Sequence, residues 1–264
     1  MISNGERARA LILRTFAYGE SDLVVHLLVE GKGRVAAFAR GARKSSKRFG
    51  GALEPFSLVE AIFSERRSAD LLSLHETSLL EGYPGLRLDL GRLAHAGYAA
   101  ELVHELTRAG EAADAFFALL ADFLARLAHA AATSGRLRAL ELLALAAAGL
   151  SPELSRCSRC GEPVDQGRAQ FDPSAGGVCC ERCAAPGALW LTHGARLLLE
   201  QLQRGGLRAA DEPVSADGTG RTADARKFEE AAAQAGPALS AAIVHHLGRS
   251  LRSAGFIIEV GAPR

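Results

Sequence analysis

The chain has 264 residues, 48% hydrophobic and 23% charged, enough for a sizeable core and for two or three domains. Its 31 basic and 30 acidic side chains nearly cancel to a formal net charge of +1, so no global field draws it to a polyanion. The best candidate for a membrane span, LLALAAAGL from Leu142 to Leu150, is too short to cross a bilayer, and the opening MISNGERARALIL mixes acid and base unlike a secretory signal; a cytoplasmic protein without disulfides is expected.

Five strand-like runs fill the first 80 or so residues: ARALILRTFAYG, LVVHLLVE, RVAAFARGA, FSLVEAIFSER and LLSLHETSLLEG. Gly and polar clusters separate them, and no helical pattern occupies the gaps. That spacing predicts a small closed barrel, with an OB-fold first and an SH3-like barrel second. Between the third and fourth runs the charge segregates. From Gly31 to Leu53 the chain carries Lys32, Arg34, Arg40, Arg43, Lys44, Lys47 and Arg48 with no acid among them, bounded by Glu30 and Glu54. A solvated loop is the ordinary explanation of a charge run. The unbroken single sign in a balanced chain points instead to an anion-binding surface. Phe49 lies in this loop and is a candidate for stacking on a nucleobase, as is Tyr18 in its turn, whereas Phe38 reads as core.

GYPG, Gly82 to Gly85, marks a boundary. Leu90, Ala94, Tyr98, Leu102 and Leu106 then form one helical face, and Phe116, Phe117, Leu120, Phe123, Leu124 and Leu127 a second. A third helix, Arg136 to Ala148, is apolar nearly all round. Helical periodicity resumes at Leu197, Leu198 and Leu202. GTGRTADARK reads as a loop, a last helix carries Leu239, Ile243, His246, Leu247 and Leu251, and FIIEV reads as a short extended segment.

Cys157-x2-Cys160 and Cys180-x2-Cys183 are separated by 19 residues. Two residues between thiols let one tight turn aim both sulfurs at one ion, and a second such turn completes a tetrahedron. These four cysteines are expected to hold one structural zinc, with no open coordination position. Cys179 is the spare, able to exchange with Cys180. No catalytic motif accompanies them: there is no phosphate-binding loop, no nucleophile elbow and no zinc-protease helix. His104 beside Glu105 lacks a second histidine, and Glu101 and Glu105 with Arg108 read as an exposed ion-pair cluster. A non-enzyme is expected.

Basic loop, small barrel, helical body and cysteine pairs in this order resemble the RecO family of bacterial recombination mediators. YGESDLVVHLLVEGKGRVAAFARGARKSSKRFGGALEPFSLVE is similar to the family's N-terminal pattern, with the Tyr18-Gly19-Glu20 turn and Gly41 to Arg43. LLEGYPGLRLDL, AGYAAELVHEL and HHLGRSLRSAGFI resemble the start and end of its helical region, and the cysteine pairs match its zinc-bearing members. The resemblance implies an α+β multidomain chain: an OB-fold over 1–82, a helical domain over 83–155 and 188–264, and an inserted zinc module over 156–187. It implies binding to single- and double-stranded DNA, annealing of complementary strands and, with RecR, loading of RecA onto DNA coated by single-strand binding protein (SSB), in the nucleoid. In this setting Lys32, Arg34, Arg40, Arg43, Lys44, Lys47, Arg48 and Phe49 are expected to contact DNA. Arg249 with Arg252 on one face of the last helix are expected to receive the acidic SSB tail, with Arg196 as a second candidate at the start of the helix after Trp190. A zinc-containing OB-fold protein that binds RNA or serves as a scaffold, without annealing, is the alternative.

Overall fold

The structure, a computed structural model, describes residues 5–65, 71–164, 169–212 and 225–261. Residues 218–224 of the expected GTGRTADARK loop lie outside the described residues.

The first five strands are β1 (Glu6–Tyr18), β2 (Asp22–Val29), β3 (Gly33–Ala39), β4 (Leu58–Ser64) and β5 (Leu72–Glu81). They close in the order β1-β2-β3-β5-β4, antiparallel throughout except for the parallel pairing of β3 with β5. This closed five-stranded arrangement is OB-like, as the sequence led us to expect. Alternation along each strand sends one set of side chains inward. Ala10, Ile12, Val25, Leu27, Val29, Ala37, Ala39, Val59, Ala61 and Phe63 fill the interior. A single-turn helix, α1 (Ser46–Phe49), sits in the loop between β3 and β4.

After a 3-10 turn over Pro84–Leu88 come α2 (Leu90–Leu106) and α3 (Asp114–His129), which pack on that turn and on each other. Asp89 caps α2, its carboxylate accepting the amide of Arg92 at 2.8 Å. The segment after α2 docks on the barrel: the Gly110 amide donates to the Arg34 carbonyl at 3.0 Å. Gly33 makes the approach possible. Its φ of +77° suits glycine, and a Cβ there would run into the Glu111 carbonyl.

The chain divides into two compact units, Met1–Ala130 with Glu259–Arg264 and Ala131–Ile258. The second contains α4 (Ser134–Ala147), β6 (Ala169–Asp172), β7 (Gly177–Cys179), β8 (Leu189–Leu191), α5 (His193–Asp211) and α6 (Ala225–Leu247), followed by α7 (Arg252–Gly261). α4, α5 and α6 pack against one another, and β6 lies between β7 and β8 in a small antiparallel sheet. None of the described helices is long and apolar enough to cross a membrane.

One expectation fails here. FIIEV is not extended but lies within α7. Its β-branched residues favour a strand, yet an isolated extended segment needs a sheet edge for its backbone groups, and a helix satisfies its own.

Candidate nucleic-acid interface and metal centre

The interface begins with an irregularity in β1. The register against β2 shifts between Ile12 and Arg14, so Leu13 is an inserted residue. Before it, Ala8, Ala10 and Ile12 face the barrel interior; after it the parity reverses. Arg14, Phe16 and Tyr18 therefore point outward. Phe16 is 48% exposed and Tyr18 61% exposed. Phe16 lies opposite Val24, and Val24 opposite Phe38, so the outer faces of β1, β2 and β3 form one surface. Phe16 meets the edge of His26 at 5.6 Å between ring centres, and the Arg14 guanidinium lies over the Phe16 ring at 5.2 Å. Tyr18 meets Phe38 edge-on at 5.5 Å. Phe38 is thus not a core residue but an outward one.

The basic loop rises beside this surface and is fixed to it. Asp22 accepts the Gly41 amide at 2.7 Å, which holds its carboxyl below the usual range, and the Arg43 amide donates to Ser21 O at 3.0 Å. Beyond this anchor, Arg40, Arg43, Lys44, Lys47 and Arg48 are all exposed. Arg48 donates back to the Arg40 carbonyl at 2.8 Å and to Ser45 at 3.2 Å. The turn of α1 presents Lys47 and Arg48 to solvent and turns Phe49 inward.

Phe49 is therefore a correction. Only 2% exposed, it closes the barrel core beside Ala52 and Leu53, and its ring offers no face to a base. Lys32 and Arg34 also differ from the other five cations. Lys32 is ion-paired with Glu6 and lies over the Phe63 ring at 5.3 Å. Arg34 donates to Thr107 O at 3.2 Å and to His104 at 3.1 Å, bracing the chain after α2 against the barrel.

His104 gathers an unusual set of donors. Arg14, Arg34 and His26 all approach its Nε2, at 2.8, 3.1 and 3.2 Å, while its Nδ1 faces Glu105 at 3.2 Å. Nε2 must accept, so the ring is neutral with Nδ1–H donating to Glu105. Burial, with Arg14 and Arg34 next, holds His104 below the usual imidazole range. Burial followed by Arg14 lowers His26 to about 4. Glu105 is thus committed to His104, and Arg108 pairs with Glu111 rather than with Glu101 and Glu105.

In the second unit, Cys157, Cys160, Cys180 and Cys183 bring their sulfurs within 4.8 Å of one another. Each pair sits on a tight turn: the Gly161 amide donates to Cys157 O at 2.8 Å, and the Cys183 amide to Cys180 O at 3.0 Å. A tetrahedron with bonds of about 2.3 Å has edges of about 3.8 Å, and Cys160 and Cys180 are separated by 3.8 Å. Burial opposes the Cys157 thiolate, but amides of Cys180, Cys160 and Arg159 bring the thiol down to about 6. Cys183 is pushed up to about 12, first by hydrogen bonding with Cys180 and Cys160. Four sulfurs this close cannot all ionise without a countercharge, which a divalent cation would supply. Cys179 is buried in β7 outside the group, and its thiol is raised by burial, so it does not stand in for Cys180.

The two candidate positions for the SSB tail differ in exposure. Arg196 is 6% exposed, paired with Glu200 at 2.7 Å and donating to Leu154 O at 3.2 Å, so it holds the fold together. Arg249 and Arg252 do not share a helix face. α6 ends at Leu247, Gly248 turns the chain with φ of +70°, and Arg252 opens α7. Both are exposed, and Phe256, one turn after Arg252, is 42% exposed.

The sequence left out Arg14, Phe16 and His26. The register shift that turns Arg14 and Phe16 outward has no marker such as glycine in LILRTF, whereas His26 faces outward by the plain alternation of β2 between Val25 and Leu27.

Comparison with known proteins gives a consistent result. The family model described as Recombination protein O N terminal matches residues 1–83, and that described as Recombination protein O C terminal matches residues 87–254. A protein named DNA repair protein RecO from Anaeromyxobacter dehalogenans (strain 2CP-C) is 47% identical over 254 residues, covering 95% of each chain. Proteins of the same name from Myxococcus xanthus (strain DK1622) and Geobacter sulfurreducens (strain ATCC 51573 / DSM 12127 / PCA) are 40% and 36% identical, each over 96% of this chain and over 96% and 98% of their own.

Proposed function

The chain belongs to the recombination protein O family of DNA repair proteins, and on that premise we propose that it is a recombination mediator that binds single- and double-stranded DNA. It anneals complementary strands and, with RecR, helps load RecA onto SSB-coated DNA. The observation that carries this reading is the pinned basic loop: five exposed cations, Arg40, Arg43, Lys44, Lys47 and Arg48, held on a closed barrel. Such a surface neutralises phosphates without reading sequence, which suits a protein that must act on any DNA. Holding two strands by their backbones leaves the base edges free to pair.

The four cysteines suit zinc, and the fit rests on the sulfur spacing and the all-thiolate donor set. A site closed by four protein ligands supplies no catalytic water, so zinc here would tie β6, β7 and the two cysteine turns into one module. For the SSB tail, Arg249, Arg252 and Phe256 combine cation and ring in the manner a hydrophobic-ended acidic peptide requires.

The test is strand annealing on SSB-coated complementary oligonucleotides. Wild type accelerates annealing, and a variant carrying Arg43→Ala, Lys44→Ala, Lys47→Ala and Arg48→Ala does not. No acceleration by wild type overturns the mediator reading. Competition by RNA of equal length, if as strong as by DNA, favours the RNA-binding alternative.

A further inference from the structure

The outer face of β1–β3 holds aromatic rings that neither fold nor phosphate binding requires. Phe16 and Tyr18 lie two residues apart on one strand, so both rings project from the same face. Both are largely solvent-exposed, at 48% and 61%. Exposed rings gain nothing for a monomer's own core, and rings rimmed by polar groups mark a binding surface.

Each ring is also braced. His26 from β2 meets Phe16 edge-on, and Phe38 from β3 meets Tyr18 edge-on. Arg14 lies over Phe16. Rings held this way lose little rotamer freedom when a flat ligand settles on them. The cations lie alongside: Arg40 follows β3 directly, and Arg43 donates to Glu20 O in the turn just after Tyr18. The surface thus sets stacking faces beside a cationic border.

A ligand matching both parts carries flat apolar rings on a polyanionic backbone. In duplex DNA the bases are already stacked and present only their edges. We propose that the outer face of β1–β3, centred on Phe16 and Tyr18, is a stacking platform for unpaired nucleobases, and that it gives this chain a preference for single over double strands. The inference rests on the DNA-binding reading, in which the basic loop contributes the phosphate contacts common to both forms.

The experiment compares three probes of equal length by fluorescence anisotropy on the full chain: an oligothymidylate, an abasic oligomer with the same phosphates, and a duplex. Stacking is worth roughly 5-fold or more in affinity per engaged base. Wild type is expected to bind the oligothymidylate at least 5-fold more tightly than the abasic strand. Phe16→Ala with Tyr18→Ala should erase that difference and leave abasic and duplex affinity unchanged. Tyr18→Trp should retain it, with indole fluorescence quenched on adding the oligothymidylate. Equal wild-type affinity for the first two probes overturns the stacking platform while leaving the phosphate reading intact. So does a parallel loss of all three probes in the double variant, because the rings would then be acting through the fold. No binding of any probe by wild type overturns the DNA-binding reading and the platform with it.

Discussion

Phe49 and Phe16 exchange the roles that their sequence positions suggest. Phe49 sits among cations and looks available to a base, yet its ring is in the barrel core. Phe49→Ala should therefore cost stability, by about 3–5 kcal/mol. Urea unfolding measures this, while the DNA affinity of the folded fraction stays unchanged. Phe16 sits in an apolar strand and looks like core, yet it is exposed. A ring's direction depends on strand parity, and parity depends on an inserted residue that composition does not reveal.

The folded state keeps His26 neutral down to about pH 4, whereas the unfolded chain protonates it near pH 6.5. Below 6.5 the unfolded state takes up the proton first, so stability is present above that pH and is lost as pH falls from about 6.5 to about 4. The groups facing His26 are Arg14, Arg34 and His104, with Glu105 behind His104. Urea midpoints at pH 7 and pH 5 should differ more for wild type than for His26→Gln. An equal difference in both proteins would remove His26 as the cause.

At the scale of elements, periodicity was a good guide where one period persisted. The five strands alternate over an enclosed core, and α3 carries the expected apolar stripe, whereas α2 buries residues on several faces, His95 and His104 among them, and leaves Leu90 exposed. The cysteine spacing was legible because ligand geometry demands it. Sequence reading failed at chain ends and breaks, where tertiary context decides. Gly248 interrupts what reads as one C-terminal helix and separates Arg249 from Arg252. Arg196 looks like a surface cation until the Leu154 carbonyl and Glu200 close over it.

Structural zinc is worth about 10–16 kcal/mol in small peptides, but the barrel and the α4–α6 packing have cores of their own. Chelation should raise amide hydrogen exchange across the cysteine turns, β6 and β7, and leave β1–β5 protected. Cys160→Ser should lose the metal, whereas Cys179→Ser should retain it, as read by bound zinc per chain. Retention by neither or by both would refute the ligand set.

The whole molecule is nearly neutral, so its affinity for DNA must come from how charge is placed rather than from how much there is. Between Gly31 and Leu53 seven cations form one block, and the fold sorts them. Lys32 and Arg34 are committed to Glu6, Thr107 and His104, and five remain exposed. The sequence could show the segregation but not the sorting, because Glu6 and His104 reach the block only through the barrel closure and the docking of the segment after α2.

Each phosphate contact on a single strand contributes about −0.7 to the slope of log affinity against log salt, so five contacts give about −3.5, where seven would give about −5. The decisive measurement is this slope, between 50 and 200 mM salt as in ordinary practice, for wild type and for the variant with Arg43, Lys44, Lys47 and Arg48 changed to alanine. A DNA path over these five cations gives about −3.5 for wild type and about −0.7 for the variant, with the melting temperature little changed. An identical slope in the two proteins would contradict it and place the DNA on another surface.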